Sequence, residues 1–191
     1  MPALHLTGDE QADRLLSEDP FALLIGMLLD QQIAMEVAFL GPARLAERLD
    51  GDLSPATVAA TDPAVLEELF RTKPAIHRYP GSMAKRVHAV ATHLVEHHGG
   101  DAADVWEGAQ DGRDLKRRLQ ALPGYGDQKA RIFIALLGKQ CGVRPEGWEE
   151  AAGEYAEPGY RSIADVLDEE TLQRVRESKQ AAKAAAKAAK G

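Results

Sequence analysis

The stretch LPGYGDQKARIF, from Leu122 to Phe133, leaves the chain few ways to fold. A leucine stripe at Leu115, Leu119 and Leu122 leads into it, and Gly124 and Gly126 turn it. The segment that follows is apolar on nearly every side (Ile132, Phe133, Ile134, Leu136, Leu137). Helical spacing on both flanks of so short a turn predicts a helical hairpin. A helix with no polar face has to be surrounded, so the rest of the chain must supply helices to bury it.

The sequence supplies them. Asp19-Pro20, Ser54-Pro55 and Asp62-Pro63 each place a capping side chain before a proline at the first helical position. Phe21, Leu24, Leu28 and Leu29 form one stripe. Pro42 is expected to restart a helix closed by Asp50-Gly51. Met83, Val87, Val90 and Leu94 make another stripe, ended by Gly99-Gly100, and a last helix is expected after Asp168 around Leu172 and Val175. Alternating strand patterns are missing, which predicts an all-α fold of about nine or ten short helices.

The net charge is −7, yet the charges are segregated. From Arg71 to His88 there are five Lys/Arg and no Asp/Glu; from Gly112 to Arg131 there are six against two; from Arg174 to the end, six against one. Such segregation can present a basic face on an acidic body, as a phosphate-binding protein requires; solvated helix faces are the plainer reading. The single cysteine, Cys141, excludes an internal disulfide and a cluster held by several thiolates. The longest apolar stretch, Phe21 to Leu29, is too short to span a membrane. The N-terminal residues have neither a basic region nor an apolar signal core. A cytoplasmic monomer is expected, nucleoid-associated if the chain is bacterial. The C-terminal lysines are spaced by alanines with no apolar face to dock, so residues 174–191 are expected to be disordered. They serve either as a solubilising tail or to neutralise phosphates. His88, His93, His97 and His98 fit a solvated helix face better than a metal site.

At the hairpin, two glycines and a helix N-terminus put backbone N–H groups where an anion can approach. Arg113, Lys116, Arg117 and Arg118 precede the turn, and Lys129 and Arg131 follow it. LPGYGDQKA resembles the helix-hairpin-helix of base-excision DNA glycosylases related to endonuclease III and the adenine glycosylase, of pattern Leu-Pro-Gly-x-Gly-x-x-(Thr/Ser)-Ala. A second match, DPFALLIGMLLDQQIAMEVA from Asp19 to Ala38, resembles the helix of those enzymes that ends Leu-Leu-Ser-x-Gln. The middle segment, Leu53 to Gly100, follows in order and spacing. The resemblance covers about Asp19 to Trp148 and implies two all-α lobes with double-stranded DNA between them. It predicts a helical barrel lobe over 22–135 and a second lobe from 1–21 and 136–173.

What the resemblance implies for single residues is specific. Gln32 falls on the wedge position that fills the gap left by a flipped nucleotide, its amide suited to an orphaned base edge. Gln31 would touch neighbouring bases or backbone, and Gly124, Tyr125, Gly126, Gln128, Lys129, Arg117, Arg118, Lys85 and Arg86 would bind DNA. The catalytic aspartate of the relatives has no aspartate counterpart here. Glu146 takes its place by register, with Glu149 and Glu150 as competitors. The extra methylene of Glu shifts the carboxylate by about 1.5 Å. The sugar-attacking lysine of bifunctional relatives aligns with Gln128. Lys129, one step later and turned about 100° around the helix, is expected to meet a phosphate. A monofunctional hydrolase is therefore expected, with Lys129 the nucleophile only in a lyase. Trp148 and Phe39 are the expected base-pocket aromatics. No iron–sulfur cluster is expected, and the resemblance leaves room for a monovalent cation on hairpin carbonyls. A catalytically silent DNA-binding member remains the alternative.

Overall fold

The computed structural model of the chain describes residues 3–190. Among them there is no strand and there are eleven α-helices. They are α1 (Glu10–Glu18), α2 (Pro20–Leu29), α3 (Met35–Arg48), α4 (Pro55–Ala60), α5 (Pro63–Arg71), α6 (Pro80–His98), α7 (Asp104–Glu107), α8 (Gly112–Ala121), α9 (Asp127–Gln140), α10 (Trp148–Ala152) and α11 (Glu169–Ala188). Short 3-10 turns lie at Gly153–Tyr155 and Ile163–Asp165. The three Asp/Ser-Pro starts behave as their chemistry requires. Asp19 Oδ1 accepts from Phe21 N at 2.8 Å, Ser54 Oγ from Thr57 N at 3.1 Å, and Asp62 Oδ1 from Ala64 N at 2.8 Å.

Two groups of helices share one long core. In the first, α4 and α5 pack on α6; in the second, α8, α10 and the 3-10 turns pack on α9. Helix α2 touches both α6 and α9 and carries α1 and α3 on its other sides, so it joins the groups. That is why every residue from Phe21 to Leu29 is buried and why the run could be apolar all round. The lobe limits expected at 22 and 135 fall inside α2 and α9, the two central helices.

Two expectations need correction. Pro42 does not restart a helix: α3 runs through it from Met35 to Arg48. The basic tail is not irregular chain, because α11 continues across the Ala/Lys stretch to Ala188. Its start is fixed by a capping box, with Thr171 N donating to Asp168 Oδ1 at 2.7 Å and Asp168 N to Thr171 Oγ1 at 2.9 Å. Leu172 and Val175 then anchor the first turns in the core. Once nucleated there, alanine-rich sequence propagates a helix readily.

Candidate functional site

The chemistry gathers where α2 ends. A helix C-terminus leaves its last carbonyls without intrahelical donors, and here side chains distant in sequence satisfy them. Lys129 Nζ, from the first turn of α9, donates to Met27 O at 2.6 Å and Leu28 O at 2.9 Å. His77 Nε2 donates to Leu29 O at 3.1 Å and Gln31 O at 3.0 Å. His77 Nδ1 accepts from Tyr79 N at 3.0 Å, which fixes the neutral tautomer. Burial pushes the His77 pKa below that of ordinary histidine. A cation at a helix C-terminus is favourable, but burial pulls the Lys129 pKa down to about 8, with Asp30 opposing the shift. Lys129 therefore clamps α2 from inside and does not reach out to a phosphate, which corrects the expectation for it.

The residues released by α2 divide in direction. Gln31 turns inward: its Nε2 donates to Leu28 O at 3.0 Å and its Oε1 accepts from Arg86 Nη1 at 3.0 Å. Gln32 follows, exposed, with φ 58° in the left-handed region. Asp30 lies between helix and turn with only 10% of its side chain exposed, 3.9 Å from Lys179 Nζ on α11. Burial raises the Asp30 pKa, and Lys179 and then Lys129 hold it down in part. These residues line a cleft of about 1170 Å³ between the end of α2, the start of α9 and the distal half of α11. Arg78, Gln128, Tyr155 and Arg161 line it too. Glu36, on its wall, pairs with Arg176 through Oε1, while its Oε2 is buried with no hydrogen-bond partner.

The hairpin sits directly on α2. Gly124 has φ 84°, and a Cβ there would stand 2.8 Å from Leu28 Cδ1, so both the turn and the close approach require glycine. Tyr125 points into the core and donates its hydroxyl to Leu24 O at 2.6 Å. Its ring is buried, so it supports the hairpin from behind and is no surface contact. Helix α9 begins after Gly126 with no side-chain cap, leaving its first N–H groups to an incoming acceptor. Asp127 is the first helical residue and not the N-cap. Lys116 at 2.6 Å and Arg131 at 3.9 Å pair with its carboxylate, and Lys116 holds its pKa below the ordinary range. Gln128 donates to Tyr155 Oη at 2.9 Å. Arg117 and Arg118 both turn to Asp114, the latter at 3.0 Å through Nε. Lys85 and Arg86 are exposed on α6. Of the hairpin carbonyls, Leu122 O accepts from Tyr125 N at 3.1 Å and Gly126 O from Ala130 N at 3.0 Å.

The segment carrying Glu146 belongs to a different surface. Its carbonyl accepts from Gly112 N at 2.7 Å, tying the loop to the start of α8, and its side chain is exposed. Trp148 packs flat on Gly138, where a Cβ would stand 2.3 Å from the indole. Neither Glu146 nor Glu149, Glu150 or Trp148 lines the cleft. Phe39 is fully buried against Gly26, a core position with no open face. The structure thus brings Gln31, Gln32, Gln128 and Lys129 together and leaves the three glutamates and both expected pocket aromatics apart from them. Sequence reasoning assigned no role to Asp30, His77 or Tyr79. Asp30 had a visible signal, a carboxylate where the resembling pattern carries serine. Tyr79, 44% exposed beside the cleft residue Arg78, had none until His77 tied its backbone to the end of α2.

No described helix is long and apolar enough to cross a membrane. A family model described as HhH-GPD superfamily base excision DNA repair protein matches residues 25–190. Among curated proteins, none matches the chain.

Proposed function

The chain belongs to the HhH-GPD superfamily of base excision DNA repair proteins, and from that premise we propose that it is a monofunctional DNA glycosylase acting on a damaged or mismatched base in double-stranded DNA. The carrying observation is the clamped end of α2, where an exposed Gln32 in a left-handed conformation stands next to a largely covered carboxylate at the cleft. The hairpin N–H groups bind one phosphate. Gln32 enters the duplex where the target nucleotide leaves, and the few kcal/mol of lost stacking are offset by its contacts. Tyr79, exposed beside the cleft residue Arg78, offers a ring on which a base can stack.

Asp30 takes the acid–base role in this reading. Breaking the C1′–N bond sends its electron pair to the base and leaves an oxocarbenium-like sugar, which a nearby carboxylate stabilises. Water then bonds to C1′ and gives its proton to that carboxylate. A pKa raised by burial makes Asp30 a better proton acceptor than an exposed aspartate. Lys129 spends two donors on carbonyls of α2, which supports hydrolysis over a lysine–sugar Schiff base. The base itself is identified by assay. On duplexes bearing uracil, oxidised or alkylated bases, wild type should release at least one base, Asp30→Asn should lose that release, and borohydride should trap no protein–DNA adduct. Release unaffected by Asp30→Asn removes Asp30 from the mechanism. The second reading, a catalytically silent DNA-binding protein, is favoured by the placement of Glu146 away from the cleft; duplex binding with no release from any substrate would establish it.

A further inference from the structure

We propose that the distal half of α11 is a second phosphate-binding surface, a helical arm lying along the backbone of the same duplex whose target base enters the cleft. The inference rests on the repair reading above and adds a contact that the hairpin does not supply. Arg176, Lys179, Lys183 and Lys187 follow one another at intervals of three, four and four residues, which places them on one stripe of the helix. Lys190 continues the series just beyond Ala188. The root of the stripe is fixed at the cleft by Arg176 against Glu36 and by Lys179 3.9 Å from Asp30. Lys183 lines the cleft as well.

Past that root the character of the helix changes. Every residue from Gln180 to Lys190 is exposed, and no Asp or Glu follows Glu177 in the sequence. The outer lysines therefore have no acid on their own stretch of helix. At about 1.5 Å per residue, Lys179 to Ala188 spans roughly 14 Å. Duplex DNA carries one charge per ~1.7 Å of axis, so the arm lies beside about eight phosphates. A polyanion is the matching partner by charge. An acidic bilayer surface matches less well, because beyond Val175 this helix has only alanine to insert and no large apolar side chain. Anchoring at the cleft wall places the root of the arm beside the residues that the repair reading assigns to the duplex.

The test is the salt dependence of binding to an undamaged duplex by the full chain, read by fluorescence anisotropy. Three lysines on phosphates contribute about 2.7 to the slope of log K against log salt. Changing Lys183, Lys187 and Lys190 together to Gln should make the slope shallower by about that amount, and changing all three to Arg should preserve it. These side chains are exposed, so the variants keep the fold, and the helical circular dichroism of each verifies this. A wild-type protein that binds duplex with a slope unmoved by the Gln variant overturns the arm while leaving the repair reading intact. Loss of sedimentation with vesicles of acidic phospholipid, at unchanged duplex slope, assigns the arm to a membrane and also overturns the inference. A wild type that binds no duplex removes the repair reading and the arm together.

Discussion

The turn after α2 and the loop after α9 both carry residues that the family resemblance marks as functional, and they are built in opposite ways. The first is held by side chains from far along the chain: Lys129 reaches Met27 across 102 residues, and His77 reaches Leu29 across 48. It leaves one glutamine exposed and one aspartate largely covered. The second is held mostly by neighbours in sequence, Val143 N on Leu137 O at 3.1 Å and Arg144 Nε on Gly138 O at 2.7 Å, with one long-range backbone bond from Gly112 N, and its glutamates are exposed. Burial raises the pKa of Asp30 and clamping from other elements fixes where the turn points. Residue type and register alone do not distinguish these settings.

Four substitutions bear on that contrast. Asp30→Asn should reduce base release by about 100-fold or more with duplex affinity within about twofold, the range a proton acceptor supplies; equal rates in a single-turnover assay would return the role to the other loop. Lys129→Met removes two hydrogen bonds from a charged donor to α2 carbonyls and should cost about 2 kcal/mol in urea unfolding at pH 7. The same residue gives a pH signature. With its pKa drawn down to about 8, the folded chain binds fewer protons than the unfolded one between pH 8 and the ordinary value of 10.5. Stability from this group therefore rises with pH across that window. The advantage of wild type over Lys129→Met should grow from pH 8 to 10, and an advantage that shrinks contradicts a buried, clamping lysine. Gln32→Ala should lower release about tenfold, roughly 1.4 kcal/mol of transition-state stabilisation. It should also diminish the fluorescence of a 2-aminopurine placed beside the target, which reports extrusion directly. Glu146→Gln should change release by no more than about twofold, and a larger loss would break the contrast from its weaker side.

Much of the fold was legible because its signals are local. Asp19-Pro20, Ser54-Pro55 and Asp62-Pro63 cap helices through their own side chains, and the all-round apolar run after Gly126 had to be central. The place of Gln32 just past the end of α2 was legible from its motif, and the residue stands exposed at the cleft. Less was legible wherever a partner from another element decides the outcome. Nothing near Lys129 announces that the end of α2 lies within reach of its ammonium. Nothing in the Ala/Lys stretch tells that Leu172 and Val175 have already nucleated its helix. The inward turn of Tyr125 depends on Leu24, and the burial of Phe39 on a glycine in α2.

The bond from the Tyr125 hydroxyl to Leu24 O, together with the seat of Gly124 on Leu28, has a mechanical consequence. These two contacts tie the hairpin to α2, so the first N–H groups of α9 and the exposed Gln32 are carried by neighbouring, directly bonded elements. Under the proposed function, the spacing between a phosphate held at the hairpin and a base met by Gln32 would then be set by the fold, and the protein would work as a fixed-gauge caliper.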